Sequence, residues 1–250
     1  MVDIHSHILP GLDDGAETLE DAVHMAEAAV ASEIYHMAAT SHGNLYSYTL
    51  EDYRKAFEKL QRALTERKIP LKLYSGMEIF LNEDAFNRLT KGELLSLNRT
   101  DYLLVEFDFE EWTANVVRWI QKLLNQDYRI VLAHPERYIF LQKDPELAYY
   151  LEEQGCVLQL NAGSIAGDFG RNCEELSWQF LRDGIVGAVA TDTHDRKYRS
   201  PDIRNVVRLL TQELGPVETK LLLSENPSRI LKGYEILRHE YKEGKEEETI

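Results

Sequence analysis

Short apolar runs recur along the chain, and between them lie stretches whose apolar residues repeat at helical spacing. The runs at 2–6, 35–40 (YHMAAT), 71–75 (LKLYS), 101–106 (DYLLVE), 129–133 (RIVLA), 156–160 (CVLQL) and 186–191 (VGAVAT) read as strands. Between the first two, Val23, Ala26 and Val30 fall on one helix face. Thr49 or Ser47 is placed to cap a helix from Asp52 to Leu64, Pro70 precedes the third strand, and Asn226-Pro227-Ser228 opens a last short helix. Strands separated by helices imply βα units in a parallel sheet. No repeat, low-complexity block or linker divides the chain, so a single domain over 1–235 is expected, followed by a charged C-terminal tail at 236–250.

Polar residues that carry chemistry sit where these runs stop. On a strand, residues i and i+2 face the same way, so His5 and His7 project together as a pair of metal ligands. His42 follows the second run, Glu78 the third, Glu106 ends the fourth, His134 follows the fifth, and Asp192 with His194 follow the seventh. Only the sixth, ending Gln159-Leu160-Asn161, lacks a charged candidate. Active sites of α/β barrels lie at this C-terminal rim, and with both the first and the last strand carrying ligands for one site, a closed barrel is favoured over an open sheet.

Taken singly, each residue has a structural reading. A strand-end His42 or His134 can be a hydrogen-bonded core histidine, Glu78 a helix cap, Glu106 a partner for lysine, and Asp13-Asp14-Gly15 a turn. His24, His36 and His239 are read as structural. The set changes this, because five of the eight histidines and three carboxylates gather at one end of successive strands. A mixed imidazole and carboxylate site suits Mn²⁺, Fe²⁺ or Zn²⁺, and so many ligands, with carboxylates able to bridge, imply two or three ions.

Composition removes several alternatives. At 250 residues and 44% hydrophobic content the chain buries a large core, while its net charge of −15 opposes nucleic-acid binding through a general basic surface. The start MVDIHSHILPG resembles no signal peptide and no window approaches the roughly 18 apolar residues of a membrane span, so a cytoplasmic, non-membrane protein is expected. Cys156 and Cys173 fit a reduced compartment and packing roles. Neither is followed six positions later by arginine, since Ala162 and Gln179 stand there, which excludes a thiol-based phosphotyrosine phosphatase.

The chain resembles the polymerase and histidinol phosphatase (PHP) superfamily in Asp3-Ile4-His5-Ser6-His7, Ser41-His42, Gly76-Met77-Glu78, Val105-Glu106-Phe107, His134-Pro135-Glu136-Arg137 and Asp192-Thr193-His194. Within it, the likeness is to bacterial manganese-dependent protein tyrosine phosphatases of capsular and exopolysaccharide operons, and it runs from residue 1 to about 232. That resemblance implies a distorted (β/α)7 TIM-like barrel with three divalent metals, Mn²⁺ foremost. It implies as ligands His5, His7, Asp14, His42, Glu78, Glu106, His134, Asp192 and His194, so that Asp14 becomes a ligand rather than a turn residue. Arg137 and Arg199 match arginines that clamp phosphate, and the partner implied is the tail of a membrane-associated tyrosine kinase that regulates polysaccharide synthesis. One departure is Gly43-Asn44, where many members carry a second histidine or a basic residue, which puts substrate binding there in question.

The expected mechanism is attack on phosphorus by hydroxide from a metal-bound water, with Arg137 and Arg199 holding the non-bridging oxygens. Asp192 and His194 belong to the catalytic set, and His194 or a metal-bound water protonates the phenol, whose pKa near 10 makes it an easy leaving group. Within the same fold the alternatives are a small-molecule phosphatase acting on a substrate such as histidinol phosphate, or a phosphodiesterase. Outside it stands a metal-binding regulator without turnover.

Overall fold

The computed structural model describes residues 1–238, and the remaining residues, with His239 and most of the charged C-terminal segment, lie outside the described part. The fold is mixed α/β with parallel strands. Three of them, β1 (Val2–Asp3), β2 (His36–Ala39) and β3 (Lys72–Ser75), form one sheet in that order. The other sheet runs in the order β4 (Glu78–Phe80), β5 (Tyr102–Glu106), β6 (Arg129–Ala133), β7 (Val157–Asn161) and β8 (Val186–Ala190). Each expected strand is present within a few residues of its expected bounds, and a further short strand, β4, which was not expected, follows β3 after Gly76 and Met77, with β3 pairing β2 and β4 pairing β5. A Cβ at Gly76 would stand 2.9 Å from Leu97, which is why the link between them carries glycine.

Single parallel bridges join the two sheets at their C-terminal ends, Ser6 with Thr193 and His42 with Glu78. Backbone hydrogen bonds extend them. Asp192 N–H donates to the His5 carbonyl and His7 N–H to that of Thr193, both at 2.9 Å, while Glu78 N–H donates to Thr40 at 3.1 Å and Gly43 N–H to Glu78 at 2.7 Å. The first strand is thereby tied to the last at the level of the ligands.

Strand residues alternate between two apolar clusters, as a period of two requires. On β6, Ile130 and Leu132 pack against the helices, whereas Val131 and Ala133 join Ile4, Ala38, Leu104 and Ala188 on the other face. The helices start where the capping signals lie. Thr49, not Ser47, caps Leu50–Glu66 and exchanges hydrogen bonds with Asp52, and Thr18 with Asp21 does the same for Leu19–Ala31, each cap contributing about 1 kcal/mol. Asn226-Pro227 does not open a free-standing helix. It continues a helical run from Pro216, and Asn226 Nδ2 donates to the Gly187 carbonyl at 3.0 Å and to that of Leu237 at 2.9 Å. The first tail residues are therefore packed, with Ile236 against the apolar face of the strands and Arg238 paired with Glu152.

Candidate metal centre

The nine residues singled out as ligands converge on one end of the strands. Strand ends and the loops after them supply His5, His7, His42, Glu78, Glu106, His134, Asp192 and His194, all buried, and the loop 13–15 supplies the more exposed Asp14. The loop reaches the centre because Gly15 lies directly over His7, where a Cβ would approach the His7 carbonyl oxygen to 2.0 Å. His134 and Asp192 both adopt the left-handed backbone region, with φ of 36° and 51°. Few non-glycine residues do so, and such conformations persist where the surroundings over-determine them.

Glu78 is the hub. Its Oε1 lies 3.2 Å from His5 Nε2 and 3.0 Å from His134 Nε2, and its Oε2 lies 3.2 Å from both His7 Nε2 and His42 Nδ1. Asp192 Oδ1 stands 3.3 Å from His5 Nε2 and 3.4 Å from His7 Nε2. Asp14 Oδ1 is 3.5 Å from Nε2 of both His42 and His194. Ligands held at about 2.1 Å from a shared ion stand roughly 3.0–3.5 Å from one another, so these separations fit ligand shells. They do not fit hydrogen bonding alone. His5 Nε2 and His7 Nε2 approach to 3.3 Å, and His42 Nδ1 lies 2.9 Å from Glu106 Oε1 although neither atom has a hydrogen-bond partner. Four groupings of three or four ligand atoms can each hold an ion, and together they use all nine residues.

The other faces of the rings fix which nitrogen is offered. His5 Nδ1–H donates to Gln159 Oε1 at 2.8 Å, and His7 Nδ1–H to Asp13 Oδ2 at 2.8 Å, leaving both Nε2 atoms for the centre. His194 Nδ1–H donates to the Asp192 carbonyl at 2.9 Å, and burial followed by the neighbouring His7 lowers its pKa. With Nδ1–H so engaged, Nε2 is the nitrogen that faces Asp14 at the centre. Burial works against charge on Glu78, but His5 and His134 outweigh it and hold the carboxyl well below its ordinary value. Asp192 is likewise held well below its ordinary value, with His5, His7 and Arg199 opposing its burial.

Asp192 divides its two oxygens. Oδ1 faces the histidines, while Oδ2 accepts from Arg199 at 2.5 Å, from Asn161 Nδ2 at 2.6 Å and from Arg137 at 3.4 Å. Both predicted arginines thus stand at the centre. Arg137 lies between the rings of Phe109 and Phe169, at 4.9 and 4.5 Å, and Arg199 keeps a buried Nε without a hydrogen-bond partner. The opening above the ligands, about 370 Å³, has walls of Leu45, Tyr46, Phe80, Phe107 and Phe109. Tyr46 stacks on His42 with centroids 5.7 Å apart. At the departure noted after His42, Asn44 acts as a clip to β4, donating to the Phe80 carbonyl at 2.8 Å and accepting from its N–H at 3.0 Å.

Four residues, among them Asp13, read only as a turn residue, were given no part in the centre by the sequence. Asp3 is buried and ties β1 to β8 by accepting from Thr191 Oγ1 at 2.5 Å, Asp13 and Gln159 orient His7 and His5, and Asn161 holds Asp192. A polar Gln159 inside the apolar run CVLQL is the one local signal among them. The cysteines lie apart from this chemistry. Burial pushes the Cys156 thiol up to about 12, and burial with the Glu136 carboxylate raises that of Cys173, so neither supplies a thiolate.

The family model described as capsular polysaccharide synthesis, CpsB/CapC, matches residues 1–232. Tyrosine-protein phosphatase YwqE of Bacillus subtilis (strain 168) is 36% identical over 240 residues, covering 95% of this chain and 94% of its own. The putative tyrosine-protein phosphatase CapC of Staphylococcus aureus is 28% identical over 242 residues, covering 96% and 92%. Among solved structures, one from work on YwqE of Bacillus subtilis and CpsB of Streptococcus pneumoniae, described as unique metal-dependent tyrosine phosphatases, superposes with a TM-score of 0.90 at 35% identity, covering 96% of this chain and 97% of that one.

Proposed function

The chain belongs to the CpsB/CapC family, and from that premise we propose that it is a metal-dependent phosphatase that hydrolyses phosphotyrosine on a protein substrate. The observation that carries the reading is the layering of the site. A floor of nine ligand residues and two guanidinium groups lies beneath apolar walls that include Tyr46 and Phe109. Such a floor suits a phosphoryl group, and such walls suit an aryl ring.

His5, His7, Asp14, His42, Glu78, Glu106, His134, Asp192 and His194 would hold divalent ions, which when bound would lower the pKa of a water and offset phosphate charge. The protein's own part is orientation. Arg137, fixed between two rings, and Arg199, with its free Nε, donate to non-bridging oxygens as charge develops. Phenolate leaves with little protonation help, so no dedicated acid is needed.

The finer features of this reading are proposals of the same kind. Manganese suits a donor set of imidazoles and carboxylates without thiolates. The two bridges between the sheets support a distorted seven-stranded barrel in which β3 and β4 are halves of one strand. The partner is taken to be the tail of a membrane-associated tyrosine kinase in polysaccharide synthesis, met in the cytoplasm. Among the described residues no helix is long and apolar enough to cross a membrane.

The test is to strip the protein with a chelator, restore Mn²⁺, Fe²⁺ or Zn²⁺ in turn, and assay a phosphotyrosine peptide, a phosphoserine peptide, histidinol phosphate and a phosphodiester. Activity on the phosphotyrosine peptide should vanish on stripping and return with metal, highest with Mn²⁺. Turnover in the stripped protein, or a preference for histidinol phosphate or the diester, would overturn the reading.

A further inference from the structure

A cavity of about 1020 Å³ lies beside the metal centre rather than over it. Arg199 lines both this cavity and the opening above the ligands, and the Phe169 ring that abuts Arg137 forms part of its wall. A peptide whose phosphate rests on Arg199 therefore has a groove directly alongside for the residues next to its phosphotyrosine.

The groove departs from the charge of the rest of the molecule. In a chain of net charge −15, it carries Lys197, Arg199, Arg204 and Arg208 against two carboxylates, Asp168 and Asp202. Arg204 is taken up by Asp202 at 2.5 Å and Arg199 by Asp192. Among the described residues, Arg208 is held by the neutral Asn205 and Gln212, at 2.9 and 2.8 Å, and by no carboxylate. Lys197 Nζ has no carboxylate in ion-pair range among the described residues. Among the described residues, Lys197 and Arg208 are thus left without ion-pair partners against one unpaired carboxylate, Asp168, so the groove keeps a net positive charge.

The loop that presents them is already ordered. The Asp195 carboxylate accepts from the backbone N–H groups of Lys197, Tyr198 and Arg199 at 2.5, 2.7 and 3.1 Å, and Thr193 Oγ1 donates to the Arg199 carbonyl at 2.7 Å. This turn sends Arg199 inward to Asp192 and leaves Lys197 and the 89% exposed Tyr198 outside. Because the backbone that presents Lys197 and Arg199 is fixed before binding, less chain freedom is lost when an anion arrives.

Resting on the phosphotyrosine reading, we propose that this groove receives acidic residues flanking the phosphotyrosine of the substrate, with Lys197 and Arg208 as the residues that set the preference. The overall charge makes the idea sharp. A chain of −15 without such a groove would repel acidic flanks and favour basic ones.

The test uses the metal-loaded protein with phosphotyrosine peptides of equal length bearing acidic, neutral or basic flanks, and p-nitrophenyl phosphate as a substrate without flanks. The wild type should prefer the acidic flank through a lower KM, and the preference should fade with salt. The double variant Lys197→Gln, Arg208→Gln should lose roughly fivefold in kcat/KM on the acidic peptide, as expected for two exposed charges, and keep its rate on p-nitrophenyl phosphate. A wild type that prefers basic flanks, or a variant that loses equally on all peptides, overturns the proposal. So does a variant with unchanged peptide kinetics that no longer sediments with phosphatidylglycerol vesicles, since the patch would then face lipid. Failure to hydrolyse any aryl phosphate when metal-loaded defeats the phosphatase reading itself, whereas normal p-nitrophenyl phosphate turnover without flank discrimination defeats the groove alone.

Discussion

Asp13 Oδ2 accepts the Nδ1–H of His7 at 2.8 Å and lies on the side of the ring opposite the Nε2 that faces Glu78 and Asp192. The same oxygen receives the backbone N–H of His42 at 3.0 Å, so one carboxylate orients two ligand-bearing segments. Asp13→Ala should weaken metal binding about 10–100-fold, the usual effect of removing a partner that orients a metal-bound histidine, while the fold is retained. Titrating the stripped variant with Mn²⁺ and recording its circular dichroism checks this. Unchanged affinity would reduce Asp13 to the turn residue that its position before Gly15 suggests.

The charge of the histidines in the stripped protein leads to a second expectation. Burial disfavours the charged ring, but Glu78 and Asp192 outweigh it and raise His5 to about 9, and Asp13, Asp192 and Glu78 raise His7 well above its ordinary value. A ligand imidazole must be neutral. Since the folded-state value of His5 lies above pH 7 and that of His7 is shifted in the same direction, metal uptake there should expel protons, about one per chain from His5, and affinity should weaken as pH falls. Calorimetry in two buffers of different ionisation enthalpy measures the protons released. Uptake at pH 7 with no release would show that the imidazoles are already neutral.

What was legible in the sequence is what a single strand can display. His5 and His7 share a face by period two, and a histidine or carboxylate at the end of all but the sixth apolar run is visible in the run itself, so these positions could be singled out, and the structure brings them together. The partners that orient them were not, because the contacts are made across the fold. Gln159 meets His5 across 154 positions, and Asn161 meets Asp192 across 31. Asp14 looked like a turn residue because its approach to the centre depends on the packing of Gly15 over His7, which no local pattern displays. The strand that follows Gly76 and Met77 was hidden for a related reason. The run 71–75 is a strand as expected, but the short strand that begins at Glu78 and pairs with β5 rather than β2 is a property of the neighbours.

Arg137 separates phosphate holding from metal holding. Its guanidinium is packed between Phe109 and Phe169, and its one ion-pair contact among the described residues, to Asp192 Oδ2, is long at 3.4 Å, so its removal leaves Asp192 with Arg199 and Asn161. Arg137→Ala should therefore keep full metal content and lose about 100-fold in kcat/KM on a phosphotyrosine peptide, the scale on which removing one donor to developing charge is felt. Arg137→Lys restores the charge but neither the planar stacking nor the fork of donors, and it should recover only part of the loss. Metal analysis and kinetics on both variants decide the matter. Near wild-type efficiency in a fully metallated Arg137→Ala would leave the phosphate to the ions and Arg199, whereas loss of metal would make Arg137 a support for Asp192.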